Sequence, residues 1–324
     1  MTKMSKATIY GIAIFLVMLF TGIGYAFLSS NLSINGTATV SKKKNVICKR
    51  ATSLHREKCL NENTASKGYG CLGEGYSINS DITYGKLGTN GVLSPGDAFD
   101  CDVNGDGTYS ATEERFYYVT DLDSDDSYAV LIFFSNGGQV PKVGYVLDDI
   151  KENLDGFTFR PNYSTSNNPL VNGPNNVTNH LPSTDNWPNV RLSNVTRTIK
   201  DEIGKEYLNF TYITGVKTPA ARLITHNEII KACPTINDKQ KIVKGRCEYL
   251  VENTGYAFQT YDNSKGYWGE SVYPAKDDLG ESLNKAWAID GWGHCTYPTT
   301  YDADGLNSFG ARPVIEVKKG QIEY

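Results

Sequence analysis

The residues best suited to a defined chemistry lie in one segment, Asp102–Glu113, with the sequence DVNGDGTYSATE. Asp102, Asn104 and Asp106 occupy its positions 1, 3 and 5, and Glu113 occupies position 12. Calcium takes about six to eight oxygen ligands, and this spacing places alternate side chains around one point. The segment therefore predicts an EF-hand-type calcium site, and we refer to residues 102–113 as the calcium loop.

The other positions of the calcium loop also carry suitable residues. Gly107 permits a sharp turn at position 6, Thr108 offers a backbone carbonyl at position 7, and Ser110 can hold a water at position 9. The alternative is a surface turn that uses Asp, Asn and Gly for their backbone preferences. We expect Ca²⁺ as the cofactor, and the predicted ligands are Asp102, Asn104, Asp106, Thr108, Ser110 and Glu113.

The elements that flank the loop decide what kind of calcium site it forms. Residues 115–120 are aromatic and β-branched, which predicts a strand. Residues 93–99 contain Pro95 and Gly96 and cannot form a long helix. A calcium sensor needs paired loops with helices on both sides. The sequence therefore favours a single structural calcium ion set into β structure.

The N-terminal region predicts export. Lys3 and Lys6 precede a stretch without charge, and residues 9–28 are apolar enough and long enough to cross a bilayer. We expect a single-pass protein of the cell membrane with most of the chain extracellular. The predicted parts are a cytoplasmic N-terminus at 1–6, a transmembrane signal anchor at 7–30, a linker at 31–47 and an extracellular domain at 48–324. The alternative is a signal peptide cleaved after Ala26, which also exports the chain.

Seven cysteines fit an exported chain, and none of them forms a CxxC pair. Outside the cytosol they could form disulfides, and sequence alone does not fix their connectivity. Buried free thiols are the alternative. The pairs closest in sequence are Cys48 with Cys59, Cys71 with Cys101, and Cys233 with Cys247, which leaves Cys295.

The pattern along residues 48–324 predicts an irregular, β-rich α+β domain. Residues 115–120 and 128–134 form a predicted hairpin joined by an acidic loop, and short aromatic strands follow in the C-terminal part. Thr225 and Glu228 have the spacing of a capping box that starts a helix. Other short helices are expected at 147–154, 194–204 and 247–253.

Composition and motifs limit the functional classes. A net charge of −4 argues against a nucleic-acid partner. The chain has no HExxH, GxSxG or phosphate-binding glycine loop. His55 has no evident partner in its charged run, and the neighbours His294 and Cys295 would point to opposite faces of a strand. We therefore do not expect an enzyme.

Several motifs carry a resemblance to a known family. GYAFLSSNLSINGTATV, ICKRATSLHREKC, GDAFDCDVNGDGTYSATEERFYYVTD and FGARPVIEVKK resemble an uncharacterised group of Gram-positive bacterial surface proteins with one N-terminal membrane segment. This resemblance implies a surface location and supplies no activity. Short motifs at 222–225, 267–268 and 310–314 are similar to C-type-lectin and formylglycine-generating-enzyme-like domains.

These observations lead to two functional hypotheses. The first is a membrane-anchored cell-surface protein with a structural calcium ion, which acts as a binding or adhesion module. Its 21 tyrosines and its aromatic C-terminal loops suit a binding surface for a glycan, a cell-wall polymer or a protein. The alternative for these residues is a two-layer β structure with tyrosines at its borders and a Trp-rich core. The alternative is an extracellular enzyme of unknown chemistry on a formylglycine-generating-enzyme-like fold.

Overall fold

A computed structural model shows the sheets and loops that position the candidate site. It describes residues 45–58, 79–135, 181–200, 206–211, 218–234, 236, 247–252, 266–273, 285–290, 295–296 and 312–324. All of them belong to one compact unit, Asn45–Tyr324. Within these ranges the chain is rich in strands and contains a single α-helix, which confirms the expected α+β class.

The largest element is a six-stranded sheet. All its neighbouring strands are antiparallel except the last pair, which is parallel. In spatial order the strands are β12 (Val314–Lys318), β6 (Asp125–Phe133), β5 (Arg115–Leu122), β4 (Ala98–Cys101), β1 (Cys48–Arg50) and β13 (Ile322–Glu323).

The predicted hairpin is present, but its connection is shorter than expected. Strands β5 and β6 continue until Leu122 pairs with Asp125, so the turn contains only Asp123 and Ser124. The acidic residues were predicted to form a loop because Asp disfavours strands. Here the strand pairing continues into them, since Asp125 and its neighbours are exposed and keep their charges in water.

Both faces of the six-stranded sheet are covered. Phe116 and Phe133 pair across β5 and β6, and both rings contact the buried ring of Trp187. The next residue of β5, Tyr117, points to the opposite face because side chains alternate along a strand. There its ring packs against Tyr249. The core therefore lies on both sides of β5 and β6.

Three small sheets complete the β structure. A predicted helix at 194–204 is wrong, because residues 196–200 form a strand that pairs with 206–211. Thr196, Thr198 and Ile199 are β-branched, and this preference prevails once a partner strand is present. The small sheets contain β2 (Arg56–Lys58) with β3 (Asp81–Thr83), β7 (Thr196–Lys200) with β8 (Glu206–Thr211), and β9 (Gly266–Tyr273), β10 (Lys285–Asp290) and β11 (Cys295–Thr296).

The capping box at Thr225 is confirmed. Helix α1 (His226–Ala232) begins where the Thr225 side chain accepts a hydrogen bond from the Glu228 backbone and the Glu228 carboxylate accepts one from the Thr225 backbone. The helix ends at Cys233, before Pro234. The helix expected at 247–253 is a single 3₁₀ turn, Glu248–Leu250.

Two disulfides are present among the described cysteines. Cys233–Cys247 is confirmed, whereas Cys48 bonds to Cys101 rather than to Cys59. Cys48 and Cys101 lie opposite each other on β1 and β4, with their Cα atoms 4.0 Å apart. Strand pairing has brought together residues 53 positions apart in sequence. Cys59 and Cys71 lie outside the described residues.

The predicted membrane segment at 7–30 and the predicted helix at 147–154 also lie outside the described residues. In the part of the chain that the structure describes, no helix has the length and apolar character needed to span a bilayer.

Candidate calcium loop and polar cleft

The calcium loop connects β4 to β5 in the central sheet. The Asp102 backbone N–H donates to the Ile47 carbonyl at 2.9 Å, which continues the pairing of β4 with β1 into the loop. Gly105 and Gly107 have φ values of +79° and +82°, a region that favours glycine. The glycine at position 6 therefore has the backbone role that the sequence predicted.

The middle of the loop gathers three of the predicted ligands. The Asp106 backbone N–H donates to Asn104 Oδ1 at 2.9 Å, and the Thr108 backbone N–H donates to Asp106 Oδ1 at 2.7 Å. The Thr108 hydroxyl donates to the same Asp106 oxygen at 2.6 Å. The Thr108 hydroxyl first, and then its backbone N–H, lower the pKa of the Asp106 carboxyl. Asp106 is therefore held as a carboxylate beside Asn104.

Asp102 lies deeper than these residues. Asp102 is only 8% exposed, and its Oδ1 atom has no hydrogen-bond partner among the described groups. A buried carboxylate oxygen without a partner is costly, because it has lost its water and gained nothing in return. This oxygen is the atom in the loop that most needs a ligand.

Glu114 was not among the predicted ligands, but its carboxylate is directed into the loop. The residue is only 1% exposed, and the Asn104 and Ser110 backbone N–H groups point at its oxygens from 3.5 and 3.4 Å. Burial raises the pKa of the Glu114 carboxyl to about 7; the two N–H groups lower it, and the nearby Asp106 and Asp102 charges raise it further.

Glu113 has a different environment. It is half-buried, and its backbone N–H donates to Ser110 Oγ at 3.1 Å. Glu113 was predicted as the ligand because position 12 closes an EF-hand when a helix follows. Here a short turn and then β5 follow, and no local signal distinguishes the two adjacent glutamates.

The donor set fits a hard cation, since every candidate group offers oxygen. The residues predicted to hold Ca²⁺ are Asp102, Asn104, Asp106, Thr108, Ser110 and Glu113, and the Glu114 carboxylate lies beside them. No three His, Cys, Asp or Glu side chains in the described ranges are already gathered as a metal site. The Asp106 carboxylate is instead turned onto Thr108. Ion binding would therefore require side-chain movement within the loop.

The calcium loop contacts segments that are distant in sequence. The Tyr109 hydroxyl donates to the Val46 carbonyl at 2.9 Å, and the Asn189 side-chain amide donates to the Asp102 carbonyl at 2.8 Å. The ring nitrogen Nε2 of His55 contacts the Ala111 carbonyl. The conformation of the calcium loop is therefore coupled to that of the segments around Val46, Asn189 and His55.

His55 has a partner that the sequence did not reveal. Its Nδ1 lies 2.6 Å from Glu252 Oε1, and the Tyr117 hydroxyl donates to the other oxygen of Glu252. Because Nε2 is engaged with the loop, both ring nitrogens are occupied by protein groups. This arrangement joins elements and offers no free nitrogen for proton transfer to a substrate. His180 and His294 lie outside the described residues.

A second candidate site is a polar cleft of about 600 Å³. It lies between the turn after β5, strand β7, the start of α1 and strand β9. Apart from Leu122, hydroxyl, amide and charged residues line it. The lining residues are Leu122, Asp123, Ser124, Ser193, Asn194, Thr196, Arg197, Thr198, Lys200, Thr225, Asn227, Glu228, Glu270 and Ser271.

Buried ion pairs form the inner wall of the polar cleft. Arg222 donates to Glu228 at 2.6 and 2.9 Å and to Glu316 at 2.7 Å. Arg197 joins Glu316 at 3.2 Å to Glu270 at 2.8 Å. Burial by itself raises the pKa of Glu316, but Arg222, the Ser193 hydroxyl and Arg197 together hold it below its usual value. The wall is therefore a fixed array of paired charges.

The aromatic residues of the C-terminal part serve the core where the structure describes them. Trp287 is 2% exposed and Tyr267 is fully buried. The Trp287 ring packs against His226, with the ring centroids 4.1 Å apart. These two rings therefore belong to the core, which was the alternative to an exposed aromatic binding surface. Trp292 lies outside the described residues.

Comparisons with protein-family models, curated proteins and solved structures find no match to this chain.

Proposed function

We propose that this chain is a membrane-anchored, calcium-stabilised module of the cell surface that binds a hydroxyl-rich ligand, a glycan, in the polar cleft. The observation that carries the binding function is the cleft itself, with its volume of about 600 Å³ and its lining of hydrogen-bonding side chains. Pockets that recognise small ligands have volumes of about 300–1,000 Å³.

The chemistry of the cleft favours a neutral polyhydroxylated ligand. Ser124, Thr196, Thr198 and Ser271 offer hydroxyl groups that both donate and accept hydrogen bonds. Three acidic and two basic side chains line the cleft, so its charges nearly balance. A strongly charged polymer would find no excess of opposite charge there, whereas sugar hydroxyls would find many partners.

The calcium part of this proposal is supported by the loop. Asp102 has an unpartnered buried oxygen, and Asn104 and Asp106 in the same loop and the adjacent Glu114 carry further oxygen ligands. Two disulfides fit an extracytosolic domain. Calcium sites of extracellular modules have dissociation constants of about 10⁻⁴–10⁻³ M.

We expect chelation to lower the melting temperature of the wild-type chain but not that of Asp102→Ala. Equal melting temperatures of the wild type with and without chelator would exclude the ion.

The binding function is tested with a glycan array probed by the full chain in detergent. Thr198→Tyr fills the polar cleft with a ring on a strand that tolerates aromatic residues. Thr83→Tyr, on β3 and outside the lining of the cleft, is the matched control. We expect the wild type and Thr83→Tyr to bind the same glycans, and Thr198→Tyr to lose at least about tenfold in affinity, or about 1.4 kcal/mol. Equal binding by both variants, or no binding by the wild type, would exclude the cleft as a glycan site.

A further inference from the structure

We propose that Glu114, and not Glu113, supplies the carboxylate that closes the calcium site. This inference rests on the proposed calcium loop and names the ligand that completes it. The loop would then take its closing carboxylate from position 13, where an EF-hand takes it from position 12.

The Glu114 side chain is directed into the calcium loop. Its two carboxylate oxygens lie 3.5 Å from the backbone nitrogen of Asn104 and 3.4 Å from that of Ser110. Those residues are positions 3 and 9, six residues apart along the loop. A group that contacts both of them lies inside the ring of ligands. The Glu113 carboxylate makes no contact of this kind with any described residue.

The charge balance around the loop also favours Glu114. Asp102 and Glu114 are both buried, and no Lys or Arg side chain of the described residues pairs with either of them. Removing a carboxylate from water costs several kcal/mol unless a cation compensates it. Among the described residues, no protein group donates a hydrogen bond to the buried Asp102 Oδ1. One divalent cation between Asp102 and Glu114 would balance both charges.

The path of the chain after the loop also orients Glu114. In an EF-hand the exit helix turns the residue at position 12 towards the ion. Here the Glu114 backbone N–H donates to the Ser110 carbonyl at 2.8 Å, which closes one turn, and β5 begins at the next residue. The Arg115 side chain then donates from Nε to Asp100 Oδ1, on the neighbouring strand β4, at 2.6 Å. This path directs the side chain of Glu114 inwards.

The test compares two matched, isosteric substitutions in the full chain, held in detergent and freed of metal by chelation. Calcium is titrated by calorimetry into the wild type, Glu113→Gln and Glu114→Gln. We expect Glu113→Gln to keep the wild-type affinity within about threefold and Glu114→Gln to lose at least about tenfold, since carboxylate ligands set the affinity of such sites. Circular dichroism in excess calcium checks that each variant is folded.

The possible results separate this inference from the proposal beneath it. Wild-type binding that Glu113→Gln weakens at least as much as Glu114→Gln would overturn the assignment and leave the calcium loop standing. A wild type that binds no calcium would overturn both. If Glu114→Gln does not fold, Glu114→Asp keeps the charge but shortens the reach. It should still weaken binding, whereas Glu113→Asp should not, and equal affinities of the two Asp variants would overturn the assignment.

Discussion

Arg312 shows how a single buried side chain can hold two layers together. Its guanidinium is fully buried and donates to the Leu250 and Tyr249 carbonyls at 2.7 Å each, and also to the Phe133 carbonyl of β6. The planar guanidinium presents several donors in fixed directions, which a lysine cannot do. Arg312 therefore fastens the segment 247–252 to the central sheet.

We expect Arg312→Lys to lower the free energy of unfolding by about 2 kcal/mol or more, because carbonyl groups would be left buried without donors. Urea denaturation of the two proteins measures this difference. Arg191→Lys is the control, since Arg191 is exposed and should tolerate the change. Similar losses for both variants would show that Arg312 has no special role.

Glu114 predicts an unusual pH dependence in the absence of calcium. Burial raises the pKa of its carboxyl from 4.5 to about 7, so folding takes up a proton between these pH values. The stability from this group is complete below pH 4.5 and is lost as pH rises through 7. We expect the unfolding free energy of the wild type, relative to that of Glu114→Gln, to fall by about 1 kcal/mol or more from pH 5 to pH 8.

Chemical denaturation in chelator at these two pH values measures the change. The comparison with Glu114→Gln removes the contribution of the other carboxyl groups, because several of them have a pKa that the fold lowers and so gain stability as pH rises. Among these is Glu316, whose pKa is lowered. A constant difference between the two proteins would mean that Glu114 is not buried with a raised pKa.

At the scale of elements, helix α1 depends on its capping box. Glu228 accepts from the Thr225 backbone and also pairs with Arg222, so the start of α1 is part of the wall of the polar cleft. We expect Thr225→Ala to cost about 1 kcal/mol of stability, whereas Thr225→Ser, which keeps the hydroxyl, should cost much less. Thermal unfolding of the three proteins gives the comparison, and equal costs would contradict a capping role.

The elements also show which structure a single sequence can reveal. The capping box at Thr225 and the hairpin of β5 and β6 depend on neighbouring residues, and both were predicted. Residues 194–204 were expected to be helical. They form strand β7 instead because this segment pairs with β8, and the local sequence does not reveal that pairing. The same limit applies to the candidate sites. The spacing of the candidate ligands in the calcium loop can be read from the local sequence. The burial of Glu114 and the walls of the polar cleft arise only from tertiary packing.

At the scale of the whole molecule, the two disulfides close loops of very different length. They span 53 and 14 residues. The chain-entropy relation gives about 4 kcal/mol for Cys48–Cys101 and about 3 kcal/mol for Cys233–Cys247. We expect the Cys48→Ala, Cys101→Ala double variant to lose more stability than Cys233→Ala, Cys247→Ala, as measured by denaturant unfolding. The reverse order would show that the local strain or packing of each disulfide outweighs loop length.

The parallel pairing of β1 with β13 has a consequence for the architecture of larger proteins. The Ile47 backbone N–H donates to the Gln321 carbonyl at 2.8 Å, so the first and last strands of the domain are neighbours. Domains whose ends are close together tolerate circular permutation and insertion. This domain could therefore be spliced into a surface loop of a host protein through two adjacent junctions. A permuted form could join Tyr324 to Asn45 by a short flexible linker and open at the exposed Gly91.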